Sequence, residues 1–318
     1  MPPDYLFHEY LEANNRPLYF HEFIAMATNH DLQYLGESSF NAMMISNYPP
    51  AVQETLNRIS HNIIELEQYM DFLRNRRFRS TLLCHSGTAL NRSIAPSSVV
   101  NFHIAFSHQP TEDIPDEHGT TPHEFVQEDG SKSAIIAHSA LHKVALLHLA
   151  EQWPNAVRFA DVARHCAAQL HQPADETLCT DLAELFLTLF MQGVCHFRLH
   201  QPPVIGQVPA RPMVSRLVRY QARHARVVAS QRHEMVQLTD GFSRELVSRL
   251  DGQHTADELV EQLMTQIDPS SLPTDTDPRT VVEARVHEEL QRMARQGVLV
   301  PMEPSDIRAQ PGASNTPS

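Results

Sequence analysis

The sequence predicts an α+β, mainly helical protein with an N-terminal α/β remnant, a mixed middle domain and two tandem winged-helix-like units. Three observations carry that class. From Ile63 the chain places Ile64, Leu66, Met70 and Leu73 at helical spacing, then passes through a basic junction into the strand-like run Thr81-Leu82-Leu83-Cys84. Between Pro96 and Ala137 the pattern turns to alternation. From Ser139 onward one unit of three helices and a strand occurs twice, each third helix stopping at a glycine, Gly193 and then Gly297, which lie 297 − 193 = 104 positions apart.

Each element follows in order. Residues 1–40 form the first segment: Tyr19 to His30 sets Phe20, Phe23, Ile24 and Ala27 on one helical face, and Leu32 to Leu35 alternates as a strand ending at Gly36. Such a helix-then-strand unit needs a sheet to pair with. Residues 41–137 form the middle domain. After Pro49-Pro50 one helix is expected from Val52 to Leu73, then the strand at Thr81, an alternating run Val99 to Phe106, and Glu124–Gln127 facing Ser133–Ile136 across an Asp129-Gly130 turn. Residues 138–205 hold helices at Leu141–Gln152, Phe159–Leu170 and Leu182–Met191 and the strand Val194–Arg198. Residues 206–303 hold a linker helix, Pro212 to Ser230, and the second copy at Phe242–Leu250, Ala256–Ile267, Val281–Arg295 and Val298–Val300. At the repeat offset Leu182, Phe186 and Leu189 meet Val286, Leu290 and Met293, and Thr255 with Glu258 marks a capping box. Residues 304–318 are Pro- and Ser-rich and expected to be disordered.

Composition narrows the function. With 318 residues, 42% apolar, the chain can fill several cores. A net charge of −13 argues against general adhesion to nucleic acid or anionic membrane, so basic surface must be local. The start MPPDYLFHEY has no positive region followed by an apolar core and no apolar run is long enough to cross a bilayer, which places the chain in the cytoplasm. Cys84, Cys166, Cys179 and Cys195 lack CxxC spacing and are expected as free thiols. His8-Glu9 and His21-Glu22 each lack a second histidine four residues on, so no metal ligands are assigned; Cys84-His85 points to opposite faces of a strand, so no nucleophile is assigned either. No two of the ten glycines lie closer than Gly119 with Gly130 or Gly241 with Gly252, so no GxGxxG or GxxxxGK loop can cradle a nucleotide.

Two basic groups remain as contact candidates. Arg74, Arg76, Arg77 and Arg79 crowd the exit of the helix that carries Tyr69 and Asp71, where they either neutralise the helix end or bind an anion or partner. Arg216, Arg219, Arg223 and Arg226 lie opposite Val214, Leu217, Val218, Ala225 and Val228, as either a solvated face or a docking stripe for acidic protein. The polar loop Glu112 to His123 is a third candidate contact surface.

HEYLEANNRPLYFHEFIAMATNHDLQYLGE followed by EQYMDFLRNRRFRSTLLCH resembles the region after the cofactor-binding core in bacterial class I S-adenosylmethionine-dependent methyltransferases that carry a methyltransferase regulatory domain, among them rickettsial-type protein lysine methyltransferases. The resemblance implies that Phe20 to Gly36 corresponds to the last helix and strand of the catalytic fold. The family's N-terminal catalytic domain, with its glycine loop and acidic ribose-binding residue, has no counterpart, so no catalytic or cofactor residue carries over and S-adenosylmethionine is implied only for that absent domain. The implied role is a non-catalytic regulatory and substrate-positioning region, truncated or split from its catalytic half, whose partners are a protein substrate, a separate catalytic domain or a second copy of the chain. The alternative is a DNA-binding regulator built on tandem winged helices. Charge weighs against it, because Arg285, Arg292 and Arg295 are offset by Glu283, Glu288 and Glu289, and Asp181 and Glu184 have no basic neighbour before Arg198.

Overall fold

A computed structural model describes residues 3–112, 119, 121–127, 134–265 and 277–301. The expected turn at Asp129-Gly130, most of the loop Glu112 to His123, the expected end of the helix Ala256–Ile267 and the tail 304–318 lie outside the described residues. The chain divides into two compact units, Met1–Ala95 with Leu187–Gly193, and Pro96–Phe186 with Val194–Ser318.

The first unit runs across the boundary expected at residue 40. It contains α1 (Pro3–Tyr10), α2 (Phe20–Thr28), β1 (Leu32–Glu37), α3 (Pro50–Ile59), α4 (Ile63–Arg74) and β2 (Thr81–His85). The single helix expected from Val52 to Leu73 is two helices. Ser60 closes α3 by donating its amide and hydroxyl to the Leu56 carbonyl, and the Asn62 side chain then accepts from the amides of Ile64 (3.0 Å) and Glu65 (2.9 Å), restarting the helix. α4 stops at Asn75, whose φ of 50° is left-handed. The strand β1, expected to belong to a larger sheet, pairs antiparallel with β2 from Leu32↔His85 to Glu37↔Thr81, with a bulge between Tyr34 and Gly36. Phe20, Ile24 and Tyr34 form the small core of this unit, with Met43, Ile63, Ile64 and Leu83 packed on it.

In the second unit the run Val99 to Phe106 is not one strand: a 3-10 turn at Pro96–Asn101 precedes β3 (His103–Phe106). Next come β4 (His108–Pro110), β5 (His123–Gln127) and β6 (Ala134–Ala137), which form an antiparallel sheet in that order. The helices α5 (Ala140–Gln152) and α6 (Phe159–Gln169) fall where the pattern put them, while α7 (Glu176–Met191) starts ahead of the expected Leu182; β7 (Val157–Arg158) lies between the first two and β8 (Cys195–Arg198) after the third. The sheet order is β7-β3-β8, so the middle strand comes from the segment read as the middle domain.

The last part holds α8 (Arg216–His224), the hairpin β9 (Val227–Ala229) and β10 (Met235–Gln237), α9 (Gly241–Arg249), α10 (Ala256–Met264) and α11 (Pro278–Arg295). Thr255 and Glu258 make the expected capping box, the Glu258 carboxylate accepting the Thr255 amide at 2.7 Å. Gly193 and Gly297 have φ of 81° and 67°, the left-handed conformation that ends both α7 and α11. The stripes predicted to match are buried in both, Leu182, Phe186 and Leu189 in one helix and Val286, Leu290 and Met293 in the other. The copies differ after the glycine: Val298–Val300 forms no strand, and Leu299 makes only an isolated bridge to Val214.

Candidate functional site

The arginine junction of the first unit folds into an ion cluster. Register places Glu37, the last residue of β1, opposite Thr81 at the start of β2, while α4 presents Glu67 and Asp71 one helical turn apart. Glu37 accepts from the Thr81 hydroxyl (2.7 Å), the Ser80 amide (3.2 Å), Arg76 Nη2 (2.8 Å) and Arg79 Nη1 (2.7 Å). Arg79 also donates through Nε to Asp71 (2.7 Å) and through Nη2 to Asp71 (2.9 Å) and Glu67 (2.9 Å), and its guanidinium lies 3.7 Å above the centre of the Phe20 ring. The Glu37 side chain is fully buried and that of Arg79 is 13% exposed.

Three carboxylates share two guanidinium groups, and Glu37 and Glu67 are shifted in opposite directions. Burial pushes the Glu37 carboxyl up, but the Thr81 hydroxyl, Arg79 and Arg76 outweigh it and hold the group below the usual carboxylate range. Burial dominates at Glu67, which sits above that range despite its bond to Arg79. For Arg79, the bonds to Asp71 and Glu67 overcome the burial cost of its charge and hold it more firmly protonated than a free arginine.

The geometry places the charged groups of Asp71, Arg76 and Arg79, read from the sequence as contact candidates, in ion pairs with one another or with Glu37 and Glu67 inside the unit. Arg74 points elsewhere, donating to the Ala42 carbonyl (2.6 Å) beside the Tyr48 ring. Tyr69 is half-buried in α4. Arg77 is the member that faces outward; among the described residues it has no ion pair. It lines a cleft of about 830 Å³ whose walls combine Tyr19, Phe23, Phe72 and Leu82 with the outer sides of Arg76 and Asp71. A second cleft of about 350 Å³, lined by Leu35, Phe40, Met43, Leu82, Leu90 and Ile94, shares Leu82 with the first. The sequence reading missed both. It put Phe23 in the core, yet Phe23 is partly exposed, as are Tyr19, Met26 and Phe72. The available signal was that α2 carries more large apolar residues than one helical face can bury.

The second unit uses arginines differently. The linker helix expected over Pro212 to Ser230 is only α8, and Val227 already belongs to β9; Arg226 therefore lies beyond the helix, and of the apolar face only Val214, Val218 and Val228 are buried, while Leu217 is exposed. The hairpin wins because Val227–Ala229 pairs with Met235–Gln237. Arg219 donates to the Leu250 carbonyl (3.2 Å) and Arg223 to Ser248 (3.4 Å), so α8 caps the end of α9. Arg244 of α9 returns the contact, donating to the carbonyls of Ala222 and Arg223 at 3.0 Å each. Arg216, Arg219 and Arg223 still line a groove of about 530 Å³ with Gln231, Asp251 and Gln253. On α11, Arg285 pairs with Asp240, Arg292 with Glu289 and Arg279 with Glu283.

Every described strand pair is antiparallel, whereas the usual cradle lies where parallel strands turn through glycines into helices. Gly36 is the one glycine lining either cleft of the first unit, and it lies against Met43. Among the described residues no group of three or more His, Cys, Asp or Glu could hold a metal, the four cysteines are free, and no helix is long and apolar enough to cross a membrane.

Residues 2–85 match a family model described as a predicted methyltransferase regulatory domain, and residues 210–298 match one described as the C-terminal winged helix domain of PKMT. Two uncharacterized proteins of Rickettsia prowazekii (strain Madrid E) are each 28% identical, one over 84% of this chain and 49% of its own length, the other over 64% of this chain and 84% of its own. Solved structures of PKMT2 from Rickettsia typhi, one in complex with AdoHcy, share 29% identity over 95% of this chain and 62% of theirs, with TM-scores of 0.82 and 0.83. The chain thus spans about half the length of the first of these relatives. The likeness relates it to protein lysine methyltransferases and supports a methyltransferase-related role.

Proposed function

We propose that this chain serves as the regulatory and substrate-positioning region of an S-adenosylmethionine-dependent protein methyltransferase, with methyl transfer carried out by residues outside it. The observation that carries the reading is the PKMT2 likeness, which takes in 95% of this chain but only 62% of PKMT2. The missing glycine loop is consistent with it, since it leaves the methyl donor to be held by other residues. On this reading the first winged-helix-like unit, built on α5, α6, α7 and β8, complements the C-terminal one, and both serve protein contact. The partner is a protein substrate or the catalytic domain, and the cytoplasm is its setting. DNA binding is the weaker alternative, because Arg279, Arg285 and Arg292 of α11 are held in internal ion pairs.

Two experiments test the proposal. Calorimetric titration of the chain with S-adenosylmethionine is expected to show no binding; sub-millimolar affinity would end the claim that it lacks a cofactor site. Fusing the part of PKMT2 outside the match to this chain is expected to give a protein that transfers labelled methyl groups to lysine side chains. A fusion that folds and binds the cofactor but methylates nothing would remove the positioning role.

A further inference from the structure

The segment from Arg211 to Arg226 carries five arginines and no carboxylate, in a chain whose net charge is −13. Of the five, Arg211 alone has an ion-pair partner among the described residues, Glu258 at 3.9 Å. Arg216, Arg219 and Arg223 line the groove of about 530 Å³, where Asp251 is the one carboxylate among the lining residues. Asp251 is already engaged, accepting from the Gln253 amide (2.9 Å) and lying 3.2 Å from a ring nitrogen of His254. Arg219 and Arg223 each use a donor on the carbonyls of Leu250 and Ser248, which holds their guanidinium groups in place and leaves other N–H groups for a ligand. Arg216 is exposed. All the lining residues fall between Pro203 and Pro301, so the charge of the groove comes from the side chains that build it and not from an element left unpaired.

We infer that this groove binds an extended acidic segment of a partner protein, one that places carboxylates at alternate positions. Arg216 and Arg223 begin and nearly end the face of α8, and at 1.5 Å per residue they stand about 10 Å apart along its axis with Arg219 between them. An extended chain advances about 6.6 Å for every two residues, so carboxylates at alternate positions keep pace with the three guanidinium groups. Paired N–H donors on each arginine match the two oxygens of a carboxylate and fix the register of the segment. Nucleic acid fits less well. Phosphate binding calls for a longer basic surface than one groove in so acidic a chain, and Arg279, Arg285 and Arg292 of α11 are held by Glu283, Asp240 and Glu289. That the occupant belongs to a protein rests on the proposed function; the groove and its charge do not depend on methyl transfer.

The test is fluorescence anisotropy of the full chain with a labelled peptide in which glutamate alternates with serine. Binding is expected at low salt and should weaken as salt is added. The same peptide with glutamine in place of glutamate should bind about tenfold or more weakly. Arg216→Glu, at an exposed position, should weaken binding by roughly fivefold or more while leaving the melting temperature of the chain unchanged, and Arg216→Glu/Arg223→Glu should abolish it. Arg164→Glu makes the same change of charge on α6, where the arginine side chain is 72% exposed, and should leave binding as it was. No binding of the glutamate peptide at low salt would overturn the inference, as would equal binding of the glutamine peptide, or an Arg164→Glu variant that loses as much affinity as Arg216→Glu. A single-stranded or duplex oligonucleotide of matched charge that binds more tightly than the peptide would assign the groove to nucleic acid and overturn it equally. Each of these outcomes is independent of the PKMT2 fusion experiment, so either can fail without the other.

Discussion

Arginines crowd together twice in this chain, and the two groups do different work. In the first unit Arg76 and Arg79 are drawn inward by Glu37, Glu67 and Asp71, so that their charges are shared out before a partner arrives. In the second unit Arg219 and Arg223, among the described residues, meet the uncharged carbonyls at the end of α9 and no carboxylate in an ion pair, and both line the groove. The density of nearby carboxylates, not the density of arginines, decides whether a basic cluster is a structural device or a surface. Sequence spacing reports the second quantity directly and the first only when the carboxylates are local: Glu67 and Asp71 precede the arginines by a few residues, but Glu37 arrives through strand pairing.

The largest effect is expected at Arg79. Arg79→Ala leaves three carboxylates facing one another around Arg76, and should destabilise the first unit by about 3–5 kcal/mol, the cost of breaking a buried ion cluster from one side, as read from urea denaturation at neutral pH. A finer cut separates the carboxylates by pH. Glu37 is held below the ordinary value of 4.5, so the stability it contributes is present above that pH and disappears as the pH falls through its folded value; the gap between wild type and Glu37→Gln should close in acid. Glu67 lies above 4.5 in the folded state, so its ionisation costs stability as the pH rises through that higher value, and Glu67→Gln should gain on wild type over the same rise. Denaturation curves with parallel pH profiles for the two variants would refute this division. The smallest effect belongs to the other region: Arg219→Ala and Arg223→Ala should each cost only about 0.3–1 kcal/mol in thermal unfolding, because each removes a partly exposed contact to a helix end.

Local signals in the sequence located most of the elements. Both glycine stops, the Thr255 capping box and the matching stripes of α7 and α11 depend on residues a few positions apart, and all of them stand in the structure. What could not be read depends on competition or on distance. Asn62 breaks an apolar helical pattern by offering its side chain to the backbone, and Val227 leaves a helix for a hairpin because β10 lies within reach. At the candidate site the arginines were found by inspection, but the aromatic wall of the cleft was not, since Phe23 and Phe72 look like core residues until Phe20, Ile24 and Tyr34 have filled the available interior.

The helix α7 has a practical consequence for dissecting the molecule. Its final turn supplies the Met191 carbonyl that the Asn47 side chain bonds at 3.0 Å, the Phe190 ring stacked on Phe40, and Gly193, where an added Cβ would stand 2.6 Å from Asn41. A fragment cut after Ala95 would contain both described strands of the N-terminal unit and yet lack the peptide on which the 3-10 turns Phe40–Met43 and Ile45–Asn47 are seated. Any attempt to study that unit in isolation must therefore bring Leu187–Gly193 along, supplied as a tethered segment or as a separate chain.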